Sequence, residues 1–545
     1  MKKFILKFLK NSRKKMCKIK QKHVILIEVL IFFSLILIFS YNLGKSEFWM
    51  DEGPSFKSAI GILEYGVPVS NFDYNFFEWQ SQDGLWDPLT PLNRYLIALS
   101  FFFLGISEFS ARIPFVIFGV LSLFLIYRVS KYFFSEKIYA LLSSVLLATY
   151  PIFIAFIKQA RWYGLFFFIF PLTLYLFHLL IETKEKKYFI LFSLSFLLTL
   201  LTHSLGFIII PICFIYLIWT NEVGILKNKY FLLTLILIFL PYLFIFSIYW
   251  RTLPFFHYSC LLDPIVYFST LFSYIYGIFV NQISRFILLP LLLIFGLIVS
   301  KKSNKKIDKL LISWFFVSFL FVSFEGIPHP RFLIPIILFP LIILSMSGIK
   351  KLSNIIYRKK SHWIAILISV LIVLNVGTLF LFENNKNTIT DTDWKSNFFG
   401  LIFYYSREEY LIHTFESNKI ISDYIKKEIP KDDIIITNLN DISLSYYSKR
   451  NVMTFLNERN STFYFKKLDE GDVWVIEQLP FSQLYFCPND ITYDGSCYIK
   501  YKDFIDFYRK NCEMNIIPDN ENKLKSILFG DNAWNIKVYH CKFKY

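Results

Sequence analysis

The feature that most restricts this chain is a succession of apolar runs of about 17 to 22 residues, beginning near Val24, Phe109, Ile138, Tyr163, Tyr188, Gly206, Tyr230, Arg285, Leu310, Phe332 and Trp363. Each is long enough to cross a bilayer core as a helix. About eleven such runs admit little besides a polytopic helical bundle, because a chain in lipid must satisfy its backbone hydrogen bonds within each span. Composition agrees: 55% of the 545 residues are hydrophobic and 20% aromatic, more than a soluble core of this length needs. The formal charge of +17 could suggest nucleic acid, but most Lys and Arg lie in short patches between apolar runs, and no basic-aromatic nucleic-acid motif is present.

The patches order the topology. The amino-terminal stretch "MKKFILKFLKNSRKKMCKIKQK" is dense in Lys and is followed by a run without a small-residue cleavage site, so the sequence predicts an uncleaved first helix with a cytoplasmic start. Alternation then places "YRVSKYFFSEKIY", "IETKEKKY", "TNEVGILKNKY", "SKKSNKKIDK" and "IKKLSNIIYRKKSH" inside, and every one carries Lys or Arg. Outside fall Tyr41 to Ser107, "IKQARWYG", "LTHSLG", Arg251 to Ser284 and "FEGIPHPR". The apolar stretch Pro91 to Gly105 is too short to span and would invert every later loop, so it is read as a helix resting in or dipping into the outer interface.

Composition turns polar at about Glu383. This divides the chain into a basic cytoplasmic amino terminus (1–22), a transmembrane domain (23–383, first outer loop 42–108) and a carboxy-terminal extracytoplasmic α/β domain (384–545). In the last, "IISDYIKKEIPKDDIIITNLNDISLSYYSKRNVMTF" reads helix, strand, helix, strand, and "DVWVIE" and "WNIKVYHCKF" read as later strands. Cys487, Cys497, Cys512 and Cys541 cluster there without a CxxC spacing, which predicts structural disulfides rather than a metal site and leaves three pairings open.

On this topology Asp51, Glu52, Asp87, Arg161, His203, Arg251, Asp263, His329 and Arg331 share one outer boundary. Polar groups at span ends are cheap singly, but together these define a layer. In order along the chain, "FWMDEGPSFKSAIGILEYGVPV", "DPLTPLNRYLIALSFFFLGISEFSARIPFVIFGVLSLFLIYRVSKYFF", "IKQARWYGLFFF", "THSLG" and "HPRFLIPIILFPLII" resemble the blocks of the GT-C membrane glycosyltransferases. Within that group they look most like the branch of protein O-mannosyltransferases, aminoarabinose transferases and lipopolysaccharide-core transferases. The resemblance covers roughly residues 24 to 350.

That resemblance implies transfer of a sugar from a polyprenyl or dolichyl phosphate to an extracytoplasmic glycolipid, polysaccharide or protein. An acceptor hydroxyl would attack the anomeric carbon, losing its proton to a carboxylate while charge builds on the departing lipid phosphate. It assigns the base to Asp51, with Glu52 orienting the acceptor or its neighbours. Loop carboxylates also simply cap helices, as Asp51 could do here. Arg161 and Arg331 are the candidate phosphate clamps, against the alternative of snorkelling toward headgroups. Asp87, Tyr163, His203 and His329 are candidate sugar or acceptor contacts, against ordinary aromatic packing for Tyr163 and a hydrogen-bonded core position for His203. Arg112, in the "RIP" block, is as readily a structural residue. Arg251 and Arg285 sit nearer the snorkelling alternative. Asp87 and Gln159 depart from the residues frequent in relatives at those places.

No HExxH-like spacing accompanies the outer His and carboxylates, so the expectation is an enzyme without metal or other cofactor, its donor being the lipid-linked sugar. The absence of a GxGxxG or P-loop argues against a cytosolic nucleotide-sugar enzyme. Two other classes share the many spans. A transporter or lipid flippase should carry ionisable or helix-breaking residues in mid-span. A membrane-anchored binding protein would leave the ordered blocks unexplained.

Overall fold

The computed structural model describes residues 28–45, 47–48, 52–68, 90–249, 267–268, 271–272, 288–301, 305–323, 330–357, 361–382, 417–431, 433–437, 441–450, 452–454, 472–478, 510, 512–516 and 536–541. Most of the described chain before residue 383 is helical: α1 (Glu28–Phe39), α2 (Glu52–Tyr65), α3 (Pro91–Leu104), α4 (Glu108–Phe134), α5 (Lys137–Ala148), α6 (Pro151–Ile157), α7 (Trp162–Thr183), α8 (Lys186–Thr202), α9 (Ile209–Thr220), α10 (Lys229–Tyr249), α11 (Leu288–Lys301), α12 (Lys306–Val322), α13 (Pro330–Tyr357) and α14 (Ser361–Phe382). Short 3-10 turns at Ser204–Ile208 and Val223–Lys227 lead into α9 and α10.

Among the described residues three helices are long and apolar enough to cross a membrane: α4, α7 and α13 over Phe332–Ile356. Eleven crossings remain a reading of the sequence. α13 is the central element, with 94% of its most apolar window buried in the protein, against 72% for α7 and 61% for α4. Large apolar side chains such as Phe33, Leu37, Phe102, Phe103, Leu240 and Trp363 stay exposed, which is how a bundle in lipid presents itself. The chain is an integral membrane protein.

The start of α4 is set locally. Ser107 accepts the Ser110 N–H at 3.2 Å, and its own N–H reaches the Ser110 hydroxyl at 3.0 Å, closing a reciprocal cap. Close packing depends on glycines. A Cβ on Gly164 of α7 would lie 2.6 Å from the Phe115 carbonyl oxygen of α4, and Gly296 of α11 and Gly348 of α13 each face the other helix's backbone, at Leu344 and Leu292. α3 is a 14-residue helix whose Ile97, Ala98 and Phe101 pack inward, while Leu99, Phe102 and Phe103 are exposed. Its length of about 21 Å is short of a bilayer core.

Ion pairs tie together the basic loops expected inside. Glu222 is bridged to Lys306 at 2.8 Å and Lys184 at 3.2 Å, and Lys306 lies 3.8 Å from Glu182. Glu136 is bridged to Lys350 and His362, each at 2.7 Å. Lys305 donates to the Phe133 carbonyl at 3.4 Å and joins the two groups, so all five basic loops meet at one set of helix ends.

Beyond the bundle, α15 (Ser417–Glu428), β1 (Ile434–Thr437), α16 (Asp441–Ser448), β2 (Val452–Thr454), β3 (Val473–Gln478), β4 (Glu513–Ile516) and β5 (Ile536–Cys541) form a mixed sheet of order β2-β1-β3-β5-β4. The β2-β1-β3 half is parallel, and β5 runs antiparallel to both β3 and β4. Ile421 and Ile425, four residues apart on α15, join Ile435, Leu444, Trp474 and Val538 in its core. Strand β4, with the sequence "EMNI", alternates polar and apolar residues over only four positions and is not among the strands expected from the sequence. Cys512, just before it, is disulfide-bonded. Cys487 and Cys497 lie outside the described residues.

Two outcomes follow. Gly164→Ala forces α4 and α7 apart and should cost about 1–3 kcal/mol, seen as a lower melting temperature of the solubilised protein. Lys306, and then Lys184, hold the Glu222 carboxyl below its ordinary value of 4.5, although partial burial opposes them. A depressed carboxylate contributes stability above its unfolded pKa and loses it as pH falls through the folded one. The melting temperature should therefore drop as pH is lowered below about 4.5, and Glu222→Gln should remove part of that dependence.

Candidate active site

At the opposite helix ends the organising group is a buried carboxylate. Glu52, first residue of α2, is 0% exposed, and an unpaired carboxylate there would cost several kcal/mol. Arg112, two residues before Pro114 in α4 and 2% exposed, meets it as a fork: Nε donates to Oε1 at 2.9 Å and Nη2 to Oε2 at 2.6 Å. The same guanidinium donates to the carbonyls of Leu43 at 2.9 Å and Glu47 at 2.7 Å, and lies 5.5 Å from the centre of the Phe48 ring. Arg112 thus pins both the helix that follows Asp51 and the segment that precedes it.

A second partner reaches Glu52 from the α6–α7 joint. The Ala160 N–H donates to Oε1 at 2.6 Å. In the same joint, Lys158 is buried and donates to the Tyr41 carbonyl at 3.0 Å. Gln159 is buried too, and its Oε1 has no hydrogen-bond partner among the described residues. The residue after Asp51 is in this way bonded to the residue before Arg161.

An aromatic path extends from there. Trp162, next to Arg161, packs against His203 with ring centres 4.1 Å apart, and His203 lies 6.2 Å from Phe332, next to Arg331. His203 Nδ1 accepts the Leu205 N–H at 3.1 Å and so starts the 3-10 turn. Tyr163 is buried, stacked on Phe156 at 4.4 Å, with the Arg161 guanidinium 6.0 Å from its ring centre.

Of the residues expected at the site, Glu52, Arg161, Tyr163, His203 and the first turn of α13 are brought together by these contacts. Asp51, Asp87 and His329 lie outside the described residues, as do Arg251 and Arg285. Arg331 is in the first turn of α13, and its side chain lies outside the description. Sequence reasoning did not pair Arg112 with Glu52, nor give a role to the Ala160 N–H. The available signal was Arg112 itself, since an Arg at the start of an apolar helix needs a partner. Its partner stands 60 residues away.

Arg112→Ala would leave the Glu52 carboxylate buried without its fork and should cost about 3–5 kcal/mol. Arg112→Lys should lose less but still lack bidentate geometry. Denaturation of the solubilised protein, completed as a double-mutant cycle with Glu52→Gln, checks both: the pair should show strong coupling.

Residues 88–250 match the family model described as dolichyl-phosphate-mannose-protein mannosyltransferase, a stretch running from just before α3 to the end of α10. A protein of Aquifex aeolicus (strain VF5), named only as uncharacterized, is 26% identical over 218 residues, 39% of this chain. The aligned part spans 42% of that relative's length. Among solved structures, ArnT from Cupriavidus metallidurans bound to undecaprenyl phosphate superposes with a TM-score of 0.60 at 12% identity, covering 94% of this chain and 97% of that one. The apo form of the same protein gives a TM-score of 0.61, also at 12% identity, covering 95% and 98%. Identity this low speaks to the fold, which the two share over nearly their whole lengths, and the family match takes in Arg112, Ala160, Arg161 and His203 but neither Glu52 nor α13. The chain thus has the fold of ArnT from Cupriavidus metallidurans, and its residues 88–250 are similar to the dolichyl-phosphate-mannose-protein mannosyltransferase family.

Proposed function

We propose that the protein transfers a sugar from a polyprenyl-phosphate carrier to an extracytoplasmic acceptor, with Asp51 as general base. The observation that carries this reading is the hydrogen bond from the Ala160 N–H to Glu52, which fastens the Asp51 loop to the Arg161 loop. In this reading the base, next to Glu52, and the cationic clamp, next to Ala160, act at the same helix ends, where a lipid-anchored phosphate lies at the membrane surface. The solved relative bound to undecaprenyl phosphate supports a donor of that chemistry.

In this reading Asp51 accepts the proton of the attacking hydroxyl, while Arg161 and Arg331 meet the charge that grows on the leaving phosphate. Glu52 acts as a positioning residue, because its carboxylate is buried and turned toward Arg112 and Ala160. Trp162, Tyr163 and His203 supply an aromatic wall beside Arg161. The pairing of the basic loops at the far helix ends fits a cytoplasmic side there and an extracytoplasmic, cell-surface site here. A transporter is less favoured, since the charged groups described gather at the two sets of helix ends.

The test incubates the purified protein with radiolabelled polyprenyl-phosphate sugars and a membrane extract as acceptor source. Asp51→Asn should lower transfer by at least about 100-fold. Arg161→Ala should lower kcat by a comparable amount. Equal transfer by wild type and Asp51→Asn would remove Asp51 as base, and no transfer from any donor would overturn the activity.

A further inference from the structure

We propose that the carboxy-terminal α/β unit is part of the site, with Tyr447 as a positioning residue that fixes the backbone just ahead of Asp51. This rests on the reading of Asp51 as the base. Tyr447 belongs to α16, almost 400 residues downstream of the first outer loop, yet its hydroxyl accepts the Phe48 N–H at 3.0 Å and donates to Glu108 Oε1 at 2.8 Å. The neighbouring Tyr446 ring packs edge-on against Phe56 at 4.5 Å and Phe48 at 5.9 Å, so the contact has an apolar body as well as a polar centre.

The geometry has a clear division of labour. Glu108 and Arg112 stand one turn apart on α4 and anchor the same segment. Arg112 acts directly, through the carbonyls of Leu43 and Glu47 and the carboxylate of Glu52. Glu108 acts through Tyr447, which hands its hold on to Phe48. α4 therefore holds the segment at Leu43, Glu47 and Glu52 through Arg112 and at Phe48 through Tyr447, and the last hold requires a side chain from the other unit. Burial, then the Glu108 charge, push the Tyr447 phenol far above its ordinary pKa, so the hydroxyl keeps the proton it donates throughout the working range. A single hydroxyl that both accepts and donates transmits the position of α4 to the loop with little slack. Phe in its place would keep the ring packing and lose both bonds.

The experiment uses the full chain in nanodiscs, with wild type, Tyr447→Phe, and Glu108→Ala, the last leaving the carboxy-terminal unit untouched. Hydrogen exchange is read at 43–52, in α4 and in strands β1 and β3. Both variants should exchange faster at 43–52 while α4 and the strands stay at wild-type rates; faster exchange in β1 and β3 as well would mark general loosening and overturn the proposal, as would unchanged exchange at 43–52. In the radiolabel assay Tyr447→Phe should lower kcat by at least about tenfold with the donor KM unchanged. A wild-type kcat in an active preparation overturns the positioning role and leaves the base assignment standing. If wild type transfers nothing from any donor, the activity reading fails, and the exchange pattern alone decides whether Tyr447 holds the loop.

Discussion

The end of this bundle opposite its basic loops depends on one buried ion pair. Glu52 has no access to water, so its charge is tolerable only because Arg112 meets both carboxylate oxygens and the Ala160 N–H adds a third donor. Such a pair adds little net stability over an apolar substitute, because desolvating two ions offsets most of their attraction. Its value is directional. A bidentate fork has one good geometry, and three separate stretches of chain meet in it: the first outer loop, the start of α4 and the α6–α7 joint. Any displacement of one stretch breaks bonds to the other two.

Around that pair the molecule separates its charges by helix end. Lys184, Lys306, Lys350 and their acidic partners gather at one set of ends, while Glu52, Arg112 and Arg161 stand at the other. Between them the long helices are apolar and pack through glycines and aromatic rings. The carboxy-terminal unit covers the end that carries Glu52 through Tyr446 and Tyr447 of α16, which rest on the same α2–α4 platform.

Much of this was legible in the amino-acid order. Helices start within a few residues of the expected positions because apolar runs and their flanking Lys declare themselves locally. The fourteen-residue α3 reads as too short to span, and counting it as a span would invert every later loop. Helix and strand periods also announced α15, β1, α16, β2, β3 and β5. The unexpected β4 is four residues long, so its polar/apolar alternation is too short to mark a strand by itself, and it is held by pairing with β5.

What the sequence by itself determined is a membrane-bound helical bundle with its basic loops on one side and a polar layer on the other, since hydropathy and charge act residue by residue. Only the tertiary structure decided which groups in that layer are partners. Glu52 could have been a solvated loop acid, and Arg112 could have snorkelled; 60 residues of intervening chain give no hint of their fork. The link from Tyr447 to Phe48 and Glu108 spans still greater distances. Hydrogen bonds of this kind are fixed by where packed helices bring backbone and side chain within 3 Å, and that depends on the whole fold rather than on any stretch of it.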